Sequence, residues 1–250
     1  MNPFQNLNTT GLETPKDTLG GSFGAIDSGV YSGTIKAAYA GKSSGGAANI
    51  SVVLALDVNG QQREYRETIY VTSKAGENFY ERDGKKSPLP GFTTANDLAL
   101  LSTGKGLNEQ PFEERVINVY NYDQKKEVPT KVAMAVDMVG KPITVAILKA
   151  LELKNVKDSN GNYVPDPSGA TREVNNIDKV FHAETGRTVS EVVERKLAKG
   201  EFIEAWRERN TGVTRDKTKG RANQPNTGTG VPGLTGAAPG GAAPSNNIFG

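Results

Sequence analysis

Cysteine is absent from this sequence, and histidine occurs once, as His182. Without thiols there is no disulfide, no thiolate metal site and no cysteine nucleophile. A single imidazole cannot build a histidine-rich zinc centre, and any base-assisted nucleophile would have to rest on His182 alone. Its place beside Phe181, at the end of an expected strand, suits packing or surface better than catalysis. Long apolar runs are missing too, so no membrane span is expected. The stretch Met1–Leu19 has no basic segment followed by an apolar run and does not read as a secretory signal. The expected location is cytoplasmic. An excess of one charge is also lacking: 30 Lys and Arg stand against 28 Asp and Glu, a net +2. Any charge-driven function must therefore come from local clusters.

Catalytic motifs are incomplete. Leu101-Ser102-Thr103-Gly104-Lys105-Gly106 is close to a phosphate loop, but Ala99 stands where the first Gly belongs, and Gly106 replaces the Ser or Thr after the Lys. The segment reads as a helix end stopped by Gly104. Asp158-Ser159-Asn160-Gly161-Asn162 is close to a calcium loop, but its Gly comes two positions early and no bidentate Glu follows in place. It reads as a hairpin loop. The acids Glu64, Glu67, Glu113 and Glu114 read as a solvated face. No enzymatic activity, cofactor or metal is expected.

What is present is β patterning. Val30–Tyr39 alternates, with Tyr31, Gly33, Ile35, Ala37 and Tyr39 on one expected face. Asn49–Asp57 turns Ile50, Val52, Leu54 and Leu56 inward. Asn59-Gly60 then links this run to Gln62–Val71, the strongest short hairpin signal because both residues tolerate positive φ. In the second strand Tyr65, Ile69 and Val71 share one face, and Arg66, Thr68 and Tyr70 the other. A turn-rich excursion over 72–90 has room for a small hairpin at Asp83-Gly84. A short helix capped by Thr94 or Asn96 runs through Leu101 to Gly104. Strands are expected over Arg115–Tyr122, Lys131–Met138, Ile143–Val156 and Arg172–His182. Thr188-Val189-Ser190-Glu191 opens a helix through a capping box, and Glu201–Arg209 adds a turn or two more.

The expected fold is thus mainly β, with six or seven strands, a mid-chain helix and a C-terminal helix. The order strand-strand-strand-helix-strand-strand suits an OB-like Greek-key barrel with insertions, and a β-sandwich nearly as well. Residues 1–27 read as a flexible arm, 28–210 as the β-rich domain, and 211–250 as a disordered Gly/Pro/Ala tail. From Ala222 onward the tail has no charged side chain, and it buries too little apolar surface to offset the entropy of ordering.

The remaining functional signal is basic residues interleaved with aromatics. Lys36, Tyr39 and Lys42 lie in and after the first strand, and Arg63, Arg66 and Tyr70 on the hairpin. Lys74, Phe79, Tyr80, Arg82, Lys85 and Lys86 lie in the excursion, and Tyr120, Tyr122, Lys125, Lys126 and Lys131 follow. Cations that track phosphates and rings that stack on bases are what single-stranded nucleic acid requires.

Three features resemble phage-encoded single-stranded DNA-binding proteins with an OB fold. One is the β core with Gly29-Val30-Tyr31-Ser32-Gly33-Thr34-Ile35 and Arg66-Glu67-Thr68-Ile69-Tyr70-Val71. Another is the insertion with Asn78-Phe79-Tyr80 and Leu89-Pro90-Gly91-Phe92. The third is the layout of folded domain, low-complexity linker and apolar tip. The resemblance implies sequence-independent coating of single-stranded DNA in phage replication or recombination. It also implies docking of replication or recombination proteins at Ile248 and Phe249, although this tail lacks the acidic residues usual in that class. The second reading is a phage structural or assembly protein with a β-rich body and flexible arms.

Overall fold

The computed structural model describes residues 24–218, except 122, 123, 125, 160, 162 and 195–199. In chain order the elements are β1 Gly29–Lys42, β2 Ala48–Val58, β3 Gln61–Tyr70, β4 Phe79–Arg82, β5 Lys85–Pro88 and α1 Pro90–Thr103. Then come β6 Phe112–Asn121, β7 Lys126–Ala135, β8 Pro142–Leu153, β9 Asn155–Lys157, β10 Tyr163–Pro165 and β11 Thr171–Phe181. Helices α2 Val189–Glu194 and α3 Phe202–Asn210 precede a last strand, β12 Thr214–Asp216. The fold is mainly β, as expected. The strands beyond the six or seven anticipated are chiefly short pairs and additions: β4–β5, β9–β10 and β12. No helix among the described residues is long and apolar enough to cross a membrane.

The main sheet runs β11-β8-β1-β2-β3, and every pair in that path is antiparallel. Helix α1 lies between the third and fourth of these strands in sequence and packs against β3, β8 and β11. That order is the one expected, but the sheet stays open, because no ladder joins β3 to β11. A side chain spans the seam instead. Glu67 on β3 accepts hydrogen bonds from the Tyr65 hydroxyl at 2.6 Å and from the backbone N–H of Ile177 on β11 at 2.8 Å. Glu67 therefore does not belong to a solvated face. It alternates with Tyr65 and Ile69 toward the interior, and burial raises its pKa, partly offset by the bonds from Tyr65 and Ile177 and by the charge of Lys217.

Local sequence explains most of the turns. Asn59 and Gly60 have φ of 56° and 80°, and Asp83 and Gly84 have 53° and 70°. Both pairs make the tight hairpins anticipated for them. Helix α1 begins four residues earlier than Thr94, because Pro90 occupies its first turn, where its missing N–H costs nothing. It ends at Gly104 in the left-handed region. The Thr188–Glu191 capping box forms as expected. The other oxygen of Glu191 accepts the N–H groups of Glu201 and Phe202, so one carboxylate serves the starts of both α2 and α3. Burial alone would raise the pKa of Glu191, but these backbone donors and the Thr188 hydroxyl lower it.

Two bulges move residues off the faces that alternation assigns. The β1–β2 register slips between Ile35 and Ala37. Ile35 pairs with buried Leu54, but Ala37 pairs with Val53 and Tyr39 with Ser51, on the outer face. The single face proposed for Tyr31 through Tyr39 is thus broken at Lys36, since one inserted residue reverses every later side chain. In β11 the slip falls at Asp178, whose carboxylate accepts the Trp206 indole N–H at 2.7 Å and so fixes α3.

Strand β8 shows no alternation because both of its faces are covered. Ile143, Val145 and Ile147 join the main core with Ile35, Leu54, Leu56, Leu98 and Met138, while Ala146 and Leu148 pack with Phe181, Ile203 and Trp206 of the α3 side. The alternation expected to continue to Met138 stops at Ala135, and Val136–Met138 form a 3-10 turn. Both domain limits shift outward. Ile26 is buried, with its N–H and C=O bonded to Asn175. After α3 the chain still pairs with β8 through β12, and Lys217 donates to the Leu151 carbonyl. The folded unit thus passes residue 210. The remaining tail, with Ile248 and Phe249, lies outside the described residues.

Candidate nucleic-acid interface

The end of the open barrel where β1, β2 and β3 meet the excursion collects most of the candidate residues. Tyr70 sits opposite Asn49, which in turn faces Gly41, next to Lys42. Backbone bonds from Val71 and Thr72 to Ala48 tie the departing chain to the start of β2. The Lys74 side chain runs alongside Gly45 in the β1–β2 turn. The β4–β5 hairpin rises between Asn78 and Leu89, whose backbones are bonded to each other. It carries Phe79, Tyr80, Arg82, Lys85 and Lys86, with the Lys86 ammonium 4.3 Å from the centre of the Phe79 ring.

Beside this hairpin lies a cleft of about 510 Å³, lined mostly by apolar groups including Ile50, Val71, Phe92, Leu107 and Phe112, with Lys42 among its lining residues. The close approach of α1 to β3 builds it. A Cβ placed on Gly91 would stand 2.1 Å from the Tyr70 carbonyl oxygen, so only glycine lets Phe92 enter at that height. Phe92 and Phe112 are absent from the sequence-derived site. The signal that marks Phe92 is Pro90-Gly91, a helix start with a close-approach glycine. Phe112 has no such mark beyond its exposure, 41% at the head of β6.

The other candidates lie elsewhere and differ in their partners. Arg66 projects from the outer face of β3 and is held by Glu64 at 2.7 Å and by Glu127 of β7 at 2.8 Å. Lys131 pairs with Glu114 at 2.9 Å. Arg63 faces the opposite end of the barrel, opposite Leu56, and donates to the Gly24 carbonyl. Lys36 stands exposed at the β1 bulge. Half-buried Tyr39 lies on the outer face in a row with Ser51 and Thr68, and opposite Met134 on its other side. Tyr120 is on the exposed face of β6, and Tyr122 lies outside the described residues.

At the loop end the lysines are not held in ion pairs, although Glu81 is the cross-strand partner of Lys86. Among the described residues no carboxylate lies within ion-pair distance of Lys42, Lys74, Lys85 or Lys86, and Arg82 has only a long contact of 3.6 Å to its neighbour Asp83. The arrangement therefore offers ammonium groups outside ion pairs, the half-buried rings of Phe79 and Tyr80, exposed Tyr70 and an apolar cleft, a combination suited to a polyanion that carries flat apolar groups. The near-motifs take the forms expected of them. Gly104 caps α1, and the Asp158–Gly161 turn connects β9 to β10. The His182 ring contacts the Thr185 hydroxyl at 3.0 Å within the turn after β11. No protein-family model matches the chain, and no curated protein matches it.

Proposed function

We propose that this chain binds single-stranded DNA without base specificity, through the loop end of its open barrel. The observation that supports this reading is the set of lysines that make no ion pair among the described residues: Lys42 lining the Phe92–Phe112 cleft, Lys74 beside the β1–β2 turn, and Lys85 and Lys86 on the β4–β5 hairpin. Phosphates engage the ammonium groups and release counterions. Bases stack on Tyr70 and Tyr80 or enter the cleft. Phe79 already carries Lys86 on one ring face, so that pair acts on one nucleotide together. In this reading the protein coats single strands during phage replication or recombination.

The test is a polarisation titration of labelled oligo-dT with the full chain at several salt concentrations. The reading expects affinity to fall linearly with the logarithm of salt and to weaken on charge reversal at Lys85 and Lys86. Affinity that is absent at low salt would refute it. The structural-protein reading is favoured by one observation, the exposure of Phe112, Val116 and Tyr120 on one face of β6. An oligo-dT null result together with self-association would favour that role.

A further inference from the structure

Strand β6 pairs with β7 along one edge only, and no described strand takes its other edge. Edge strands in soluble proteins are commonly blunted by proline, charged side chains (lysine above all), bulges or a covering element. β6 has no proline, lysine or glycine, and its ladder with β7 runs without a slip from Phe112 to Asn121. Its charges are cancelled inside its own hairpin, Arg115 by Glu113 at 2.5 Å and Glu114 by Lys131. On one face it exposes Phe112, Val116 and Tyr120, at 41%, 62% and 41%.

The spacing of that face is symmetric about Val116. We propose that β6 is a self-association edge, and that two copies pair β6 antiparallel about a two-fold axis at Val116 into a four-stranded β7-β6-β6-β7 sheet. A two-fold perpendicular to a sheet sets one residue opposite its own copy. With Val116 at the centre, Phe112 faces Tyr120 of the second copy, Glu114 faces Asn118, Arg115 faces Ile117, and Glu113 faces Val119. No like charges meet, and the exposed apolar residues become cross-strand neighbours. The other centres are worse. Arg115, Glu114 or Glu113 at the axis opposes its own charge. Ile117 at the axis sets Val116 against Asn118 and Glu114 against Tyr120. Asn118 at the axis leaves Phe112 without a partner strand. The occupant chosen by this pattern is a second copy of the chain, by strand addition.

The absence of cysteine in the sequence allows a clean test. Directly opposed residues in an antiparallel ladder have Cα atoms about 4.5 or 5.5 Å apart, and both distances suit a disulfide. The full chain carrying Val116→Cys is expected to form a covalent dimer under mild oxidation. Glu114→Cys and Asn118→Cys are each expected to stay monomeric alone on a non-reducing gel and to cross-link when mixed. By sedimentation without DNA, the unmodified chain is expected to dimerise with concentration. Val116→Lys should sediment as a monomer with an unchanged melting temperature, because that side chain is exposed. A monomeric unmodified chain, a Val116→Cys chain that does not cross-link, or stronger cross-linking by Asn118→Cys alone would overturn the proposal. Because no DNA is present, the outcome is independent of the nucleic-acid reading.

Discussion

At the loop end of the barrel Lys42, Lys74, Lys85 and Lys86 make no ion pair among the described residues, even though Glu81 is the cross-strand partner of Lys86, whereas on the outer face Arg66 is held by Glu64 and Glu127, and on the neighbouring hairpin Lys131 is held by Glu114. The residue types are alike and their surroundings are opposite. Exposed ion pairs add little to stability, yet each one cancels a charge that a phosphate would otherwise meet. A basic residue that the fold leaves outside an ion pair meets a phosphate without first giving up a partner. Here Glu64 lies two residues from Arg66 on β3, but Glu127 reaches across from β7 to Arg66 and Glu114 from β6 to Lys131, so the distinction is made largely by tertiary structure.

The largest effect should come from reversing the charges outside ion pairs. Lys74→Glu, Lys85→Glu and Lys86→Glu together are expected to weaken oligo-dT binding by roughly a hundredfold or more at low salt. Arg66→Gln should change it by about twofold at most, since its charge is already neutralised. Equal losses in polarisation titrations would erase the contrast between the two regions.

A comparable energy should appear in stability, away from the loop end. Asp97 on α1 has its pKa raised to about 7 by burial, against the lowering influence of Lys179. Between the ordinary carboxylate range and pH 7 the folded state then holds a proton that the unfolded state lacks. Stability should be greatest at the acid end of that window, fall as pH rises through it, and level off above it. Glu67 is shifted in the same direction and adds to the trend. Asp97→Asn should remove much of the slope and raise stability at pH 8 by roughly 2–4 kcal/mol, with DNA affinity unchanged. Urea melts from pH 5 to 8 measure the first effect. A slope that steepens, or a concurrent loss of binding, would tie the buried carboxyl of α1 to the interface and blur the comparison.

Next in size is the ring contribution. Tyr70 is 52% exposed on the outer face at the loop end of β3, and Tyr70→Ala should cost roughly 1–3 kcal/mol of binding if bases stack on it. Tyr65→Phe lies on the opposite face of the same strand and removes a hydroxyl bonded to Glu67. It should lower the melting temperature and leave affinity unchanged. Calorimetry on the two variants separates the faces.

The sequence makes the β2 alternation, the Asn59-Gly60 hairpin, the Thr188–Glu191 capping box and the Gly104 stop legible, because each depends on residues close together in the chain. Lys36 and Asp178 are not legible as bulge positions. An inserted residue leaves no mark in composition yet reverses the faces beyond it, which is why Tyr39 is found on the outer side. Glu67 reads as a surface acid until Tyr65 and Ile177 are seen to meet it. The loop-end lysines and rings are visible as a cluster in the excursion. Phe92 and Phe112 are not, because the cleft between them exists only once α1 docks on Tyr70 and β6 begins beside it.

The most direct measurement is the salt dependence of oligo-dT binding for two single variants, Lys86→Gln and Lys131→Gln. Each phosphate contact contributes about 0.7 to the slope of log K against log salt on single strands. The account expects Lys86→Gln to flatten the slope by about that amount and Lys131→Gln to leave it unchanged. A slope altered by Lys131→Gln and indifferent to Lys86→Gln would place the phosphate path on the hairpin and contradict the assignment to the loop end.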